Sequence, residues 1–124
     1  MGYTIDHALT QYYSDCIWKI VDHDYSKLDW DSSNSKSKPT LEDLQSKVTA
    51  MDAAEPMKRL RAKRDQLLTE CDWVVTKAAE TGVAESDAWK TYRQALRDLP
   101  SSASPKLNSI YNLDLTSVTW PTQP

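Results

Sequence analysis

Only two glycines occur in the 124 residues of this chain, Gly2 and Gly82. Glycine is the residue that lets a backbone turn left-handed or approach a ligand closely without steric cost, so its scarcity removes whole classes of site. Phosphate-cradling loops of the GxGxxG or GxxxxGK type cannot be built from this sequence. A chain of 14.1 kDa is one domain, or two small modules that share a core. Its net charge of −3 and pI near 5.3 argue against a protein that coats nucleic acid. No run approaches the roughly 20 apolar residues of a membrane span. The start, Met1-Gly2-Tyr3-Thr4-Ile5-Asp6-His7, has neither the basic residues nor the apolar run of a secretory leader. Phenylalanine is absent while there are 5 Trp and 6 Tyr, aromatics with polar tips that suit a surface buried on assembly. Cys16 and Cys71 have no CxxC neighbour and read as free thiols of a reducing compartment.

Along the chain, Ile5, Ala8, Leu9, Tyr12 and Tyr13 are spaced for a short amphipathic helix. Trp18 and Ile20, then Leu28 and Trp30, alternate with polar neighbours as strands with one covered face do, which predicts a β-hairpin with a four-residue turn at His23–Ser26. Asp31–Lys38 holds no apolar residue and reads as a mobile linker. Thr40 can cap a following helix that carries Leu41, Leu44, Val48 and Met51 on one face. Pro56 is expected to kink or restart it. From there Met57, Leu60, Leu67, Leu68 and Cys71 form a stripe, and Asp72-Trp73-Val74-Val75 marks its end or a looser turn. Gly82 is the expected break, Ser86 and Asp87 cap a last helix bearing Ala88, Trp89, Tyr92, Ala95, Leu96 and Leu99, and Pro100 is expected to end it. Ser101–Pro124 has no helical period. The fold class is therefore α+β: a small N-terminal helix plus β-hairpin module over residues 1–38, then residues 39–124 as an antiparallel helical hairpin with an extended C-terminal arm.

Reactive constellations are scarce. His7 and His23 lack metal-binding spacing, and Asp22-His23-Asp24 would need further ligands that nothing signals, so neither metal nor cofactor is expected. Neither cysteine has a basic or histidine partner in sequence, and no G-x-S-x-G turn exists, so an enzyme is not expected. The cluster Lys58, Arg59, Arg61, Lys63 and Arg64 is diluted by Asp52, Glu55, Asp65 and Glu70 and reads as a solvated face. Arg64 lies inside the apolar stripe and needs a partner, with Asp98 and Asp72 as candidates.

Three ordered blocks carry a resemblance. Arg61-x-x-Arg64-x-x-Leu67-Leu68-x-x-Cys71-Asp72-Trp73 is followed by Trp89-x-x-Tyr92-Arg93-Gln94-Ala95-Leu96-Arg97-Asp98-Leu99-Pro100, and then by Val118-Thr119-Trp120-Pro121. Together they resemble the tail assembly chaperone domain of tailed bacteriophages over residues 57–124. The first half resembles a small module found beside that domain in phage tail proteins, with Trp18 and Trp30 in its hairpin and Pro39-Thr40 opening a helix. Cys71 stands where such sequences carry Thr or Ser, and the stretch between Trp73 and Trp89 lacks their acidic start. The resemblance implies a protein that binds a phage tail fibre or baseplate protein without covalent chemistry, in the host cytoplasm during assembly, with no role for nucleic acid or membrane. It leaves open a permanent adaptor retained in the virion tail, and a homo-oligomer. Arg64, Asp72, Trp73, Trp89, Tyr92 and Asp98 are expected to hold the helical hairpin together. Trp120, Val118, Leu115, Tyr111 and Trp30 are expected to meet the partner.

Overall fold

The structure, a computed structural model, describes residues 2–124. In chain order it contains α1 (Ile5–Tyr12), β1 (Trp18–Val21), β2 (Asp24–Trp30), α2 (Leu41–Glu70), α3 (Asp72–Thr81), α4 (Asp87–Ser102) and a 3-10 turn at Leu115–Ser117. The class is α+β. The chain divides into two compact units, Met1–Glu55 and Pro56–Pro124, so the polar 31–38 segment lies within the first. The first half of α2 belongs to one unit and its second half to the other.

In the first unit α1 starts after Thr4, whose backbone N–H donates to His7 Nδ1 at 3.0 Å. It buries Ala8 and Leu9 against Leu28 of β2 and against Leu44 and Met51 of α2, with Trp18, Ile20, Tyr25 and Trp30 packed around them. The strands pair antiparallel, Trp18 opposite Trp30 and Lys19 opposite Asp29, with a bulge before Val21 meets Asp24. The turn differs from the four residues expected at His23–Ser26. It is the pair Asp22–His23 alone, both left-handed at φ 53° and 58°. Two left-handed residues match the twist of a tight hairpin, and Asp and His tolerate that region better than most side chains. His23 Nδ1 lies 2.8 Å from Asp6 Oδ1 of α1, which fixes the turn from outside.

The 31–38 segment is fastened rather than loose. Asn34 pairs with Ile17 as a strand would, accepting its N–H and donating to its carbonyl, both at 2.8 Å. The Trp30 indole donates to the Lys36 carbonyl at 3.1 Å, Lys38 Nζ to the Leu28 carbonyl at 3.2 Å, and Lys36 pairs with Asp15 at 3.0 Å. Polar contacts replace the burial this stretch cannot offer. The N-terminal residues are tied to α2, where the Tyr3 N–H donates to Asp52 at 3.0 Å and the Tyr3 hydroxyl donates to the buried Glu55 carboxylate.

In the second unit α4 lies antiparallel to the second half of α2. Leu60 packs with Leu99, Arg64 reaches the carbonyls of Leu96 and Arg97, and Arg93 reaches that of Leu68, so numbers rise on one helix as they fall on the other. Two cores result, Cys71, Val74, Tyr92 and Leu96 at one end, and Leu60, Leu99 and Val118 at the other. Three expectations are decided here. Of the two outcomes expected at Pro56, the restart does not occur: the helix bends but is continuous from Leu41 to Glu70. Of the two readings of Asp72–Val75 the end is the one observed, since α2 stops at Glu70, and in place of a looser turn the stretch opens the separate helix α3. Pro100 does not end α4, which runs on to Ser102. Proline leaves the Leu96 carbonyl without its helical donor, and Arg64 Nη1 approaches that carbonyl at 3.5 Å and the Arg97 carbonyl at 3.3 Å. Gly82, left-handed at φ 71°, closes α3 by donating to the Ala78 carbonyl, and Ser86 caps α4 by accepting from the Trp89 N–H. The C-terminal segment is more structured than an extended arm. Leu107 and Leu113 form an antiparallel bridge, and Asp114 caps the 3-10 turn.

Candidate partner-binding surface

The corner between α2 and α3 is organised by a residue that sequence reasoning did not single out. Arg93 of α4 donates to the Leu68 carbonyl at 3.1 Å, to Cys71 Sγ at 3.0 Å and to Asp72 Oδ1 at 3.1 Å. It thus places a cation on the last carbonyls of α2 and holds the carboxylate of the first turn of α3, both favourable for the helix dipoles. Burial works against the Arg93 charge, but the bonds to Cys71 and Asp72 more than offset it and its pKa is raised. The signal in the sequence was its place four residues after Trp89 and three before Leu96, inside the buried stripe. The expected partners of Arg64 are otherwise engaged: Asp72 is taken by Arg93, and Asp98 accepts from Gln94. Arg64 pairs instead with its neighbour Asp65 at 2.6 Å, besides the α4 carbonyls.

With the corner fixed, three aromatics meet in a row. Trp73 and Trp89 are 5.6 Å apart edge to face, and Trp89 and Tyr92 are 5.9 Å apart in the same manner. Tyr92 is buried, and its hydroxyl pKa is raised, chiefly by burial. Trp89 is half-buried. Trp73, at the start of the row, stays 54 % exposed. Beside it lies a cleft of about 280 Å³ between α3, the 82–86 loop and the start of α4, lined among others by Trp73, Val74, Ala78, Val83 and Trp89. Val83, 70 % exposed, extends the apolar surface of the cleft. The volume is at the lower edge of small-ligand pockets and suits one or two side chains of another polypeptide.

The arm offers a second, smaller surface. Leu115 is 52 % exposed and Ile110 is 60 % exposed. Tyr111 is half-buried beneath the Arg59 guanidinium, 5.4 Å from its ring centre. Val118 is buried against Leu60 and Leu99, and Trp120 packs on the same cluster with its indole N–H donating to the Leu115 carbonyl at 3.1 Å. The structure therefore brings Val118 and Trp120 into the monomer and leaves Trp73 outermost. Trp30 belongs to the first unit, half-buried 5.6 Å from Tyr13. Val83 and Glu85 were not singled out from the sequence, because neither lies on a helical stripe.

Among the described residues no group of three or more His, Cys, Asp or Glu stands close enough to hold a metal, and no helix is long and apolar enough to cross a membrane. Both cysteines are free. What this surface offers chemically is apolar docking on a clasped helical pair, the property of a protein-binding module. The model of the phage tail assembly chaperone protein family matches residues 57–124, and the chain belongs to that family. Searches against curated proteins and against solved structures give no significant match. The family indicates a role in tail assembly, protein partners and non-enzymatic action.

Proposed function

We propose that this protein binds a phage tail-fibre or baseplate protein non-covalently in the host cytoplasm and assists its folding or attachment, then leaves before the particle is complete. The observation that carries the reading is the exposed indole of Trp73 at the mouth of an apolar cleft, beside a buried core of Cys71, Val74, Tyr92 and Leu96. Interfaces are enriched in such exposed indoles beside apolar clefts. Leu115 and Ile110 on the arm supply a second contact, with Tyr111 at its edge. Val118 and Trp120 act beneath that surface by holding the arm in place, and Trp30 serves the first unit in the same way.

Co-expression with the cognate fibre and baseplate proteins, followed by size-exclusion chromatography, tests this. A complex is expected with one of them, and Trp73→Ser is expected to weaken it at least about tenfold, as loss of an aromatic anchor does. No complex with any tail component, and no gain in their solubility, would overturn the reading. Mass spectrometry of purified particles addresses departure: the chain is expected to be missing, and a fixed ratio to the tail would make it an adaptor instead.

A further inference from the structure

The cleft between α3 and α4 is apolar over most of its walls, yet Glu85, one of its lining residues, carries a carboxylate oxygen without a partner. Glu85 Oε2 is shielded from water and has no hydrogen-bond partner, and it is the only such buried side-chain oxygen or nitrogen among the described residues. Glu85 lines the same cleft as Trp73 and Trp89, and on its other side a shallow hollow beside Lys90, Thr91 and Gln94. A carboxylate oxygen without water or donor is costly, and a donor that enters the cleft relieves the cost. The donor that pairs most strongly with a carboxylate is a cation. From Asp72 to Lys90 the sequence carries four carboxylates, Asp72, Glu80, Glu85 and Asp87, against two lysines, Lys77 and Lys90. Asp72 is engaged by Arg93, and Lys77 lines the cleft as its one cation.

We propose that the α3–α4 cleft receives an arginine side chain of the tail protein, its stem against Val74 and the two indoles and its guanidinium on Glu85. Arginine fits better than lysine, because its planar fork stacks on aromatic faces and pairs with a carboxylate through two parallel bonds. Rotation about the Glu85 side-chain bonds turns the carboxylate toward the incoming group. Lys77 opposes the arrival by like charge and moderates the affinity. This rests on the proposed partner-binding role of the same surface and names the chemistry that the partner must show.

The test uses the full chain and three capped tripeptides, Val-Arg-Val, Val-Gln-Val and Val-Glu-Val, titrated while the indole N–H resonances are followed by NMR. The arginine peptide is expected to shift the Trp73 and Trp89 signals saturably and to bind about fivefold or more tighter than the glutamine peptide. Glu85→Gln is expected to erase that preference, and Lys77→Ala to tighten arginine binding. Equal binding of the arginine and glutamine peptides, a preference that survives Glu85→Gln, or unmoved indole signals would each overturn the inference. The same variants in the complex with the tail protein separate the two readings. If Trp73→Ser weakens that complex while Glu85→Gln does not, the docking surface stands and the arginine inference falls.

Discussion

Arg93 shows how one side chain can decide the geometry of a whole corner. Its fork spans the last turn of α2 and the first turn of α3, which are joined at Cys71, the residue before α3 that offers no side-chain cap of its own. Removing it leaves the Leu68 carbonyl and the Asp72 carboxylate without their cation, so Arg93→Ala is expected to cost about 2–3 kcal/mol in urea unfolding. Arg93→Lys is expected to recover only part of that, since a point charge cannot serve both acceptors at once. Equal stability of the lysine variant and the native chain would show that charge alone, not the fork, matters. At the same scale, five aspartates have lowered pKa values. The Ser26, Ser33 and Thr116 hydroxyls and backbone N–H groups hold Asp24, Asp31 and Asp114 below the usual carboxylate range, and Lys36 does the same for Asp15. Burial pushes Asp6 up, but hydrogen bonds from Thr4, its own backbone and His23 outweigh it. Below the unfolded aspartate value of about 3.9 the unfolded chain then binds more protons than the folded one, so stability falls as pH falls. The thermal midpoint is expected to hold steady from pH 7 to about pH 5 and to drop progressively from pH 4 to pH 3. A midpoint unchanged across that lower interval would mean that these turns do not persist in solution.

The elements of the second unit depend on one another through a missing hydrogen bond. Pro100 denies the Leu96 carbonyl its helical donor, and the Arg64 guanidinium from α2 takes the vacant place. Helix α4 can therefore pass through a proline because a cation from the helix beside it serves the carbonyls of Leu96 and Arg97. The arrangement predicts a coupling that neither residue would show alone. Arg64→Met is expected to cost about 1–2 kcal/mol in the native chain, since it removes a charged donor from two carbonyls. In a Pro100→Ala background residue 100 regains its N–H, the Leu96 carbonyl is satisfied within the helix, and the cost of Arg64→Met is expected to fall by about 1 kcal/mol. A double-mutant cycle on urea midpoints measures this directly, and strict additivity would show that Arg64 does not act through the Leu96 carbonyl. The hairpin of the first unit is a parallel case, because its turn conformation is maintained by a bond between His23 and Asp6 that crosses from turn to helix.

At the scale of the whole molecule, what the sequence disclosed was periodicity and punctuation. The stripes of Leu60 to Cys71 and Trp89 to Leu99, the Ser86 cap and the Gly82 stop are local, and the paired helices, like the α1 helix and the two strands, stand where those signals put them. What stayed hidden was whatever depends on partners distant in sequence: the left-handed pair Asp22–His23, the fastening of 31–38 through Asn34, the survival of helix past Pro100, and the choice of Trp73 over Trp120 as the outermost indole. Exposure in particular has no periodic signature, since it depends on which edge of α3 the corner turns outward. The family model covers 57–124 and the second compact unit covers Pro56–Pro124, a coincidence that suggests a fragment able to fold by itself. Its first residue would be Pro56, and proline is favoured at the first position of a helix, where its absent N–H would have no partner anyway. The fragment would lose none of the Leu60–Leu99–Val118 or Cys71–Val74–Tyr92–Leu96 packing. A domain so small keeps only a few kcal/mol in hand. Residues 56–124 are therefore expected to show helical circular dichroism, one cooperative thermal transition and three dispersed indole N–H signals, from Trp73, Trp89 and Trp120. Collapse of those signals to random-coil positions would show that the second unit requires residues before Pro56 to fold, and that the helical pair is not an autonomous platform for the cleft.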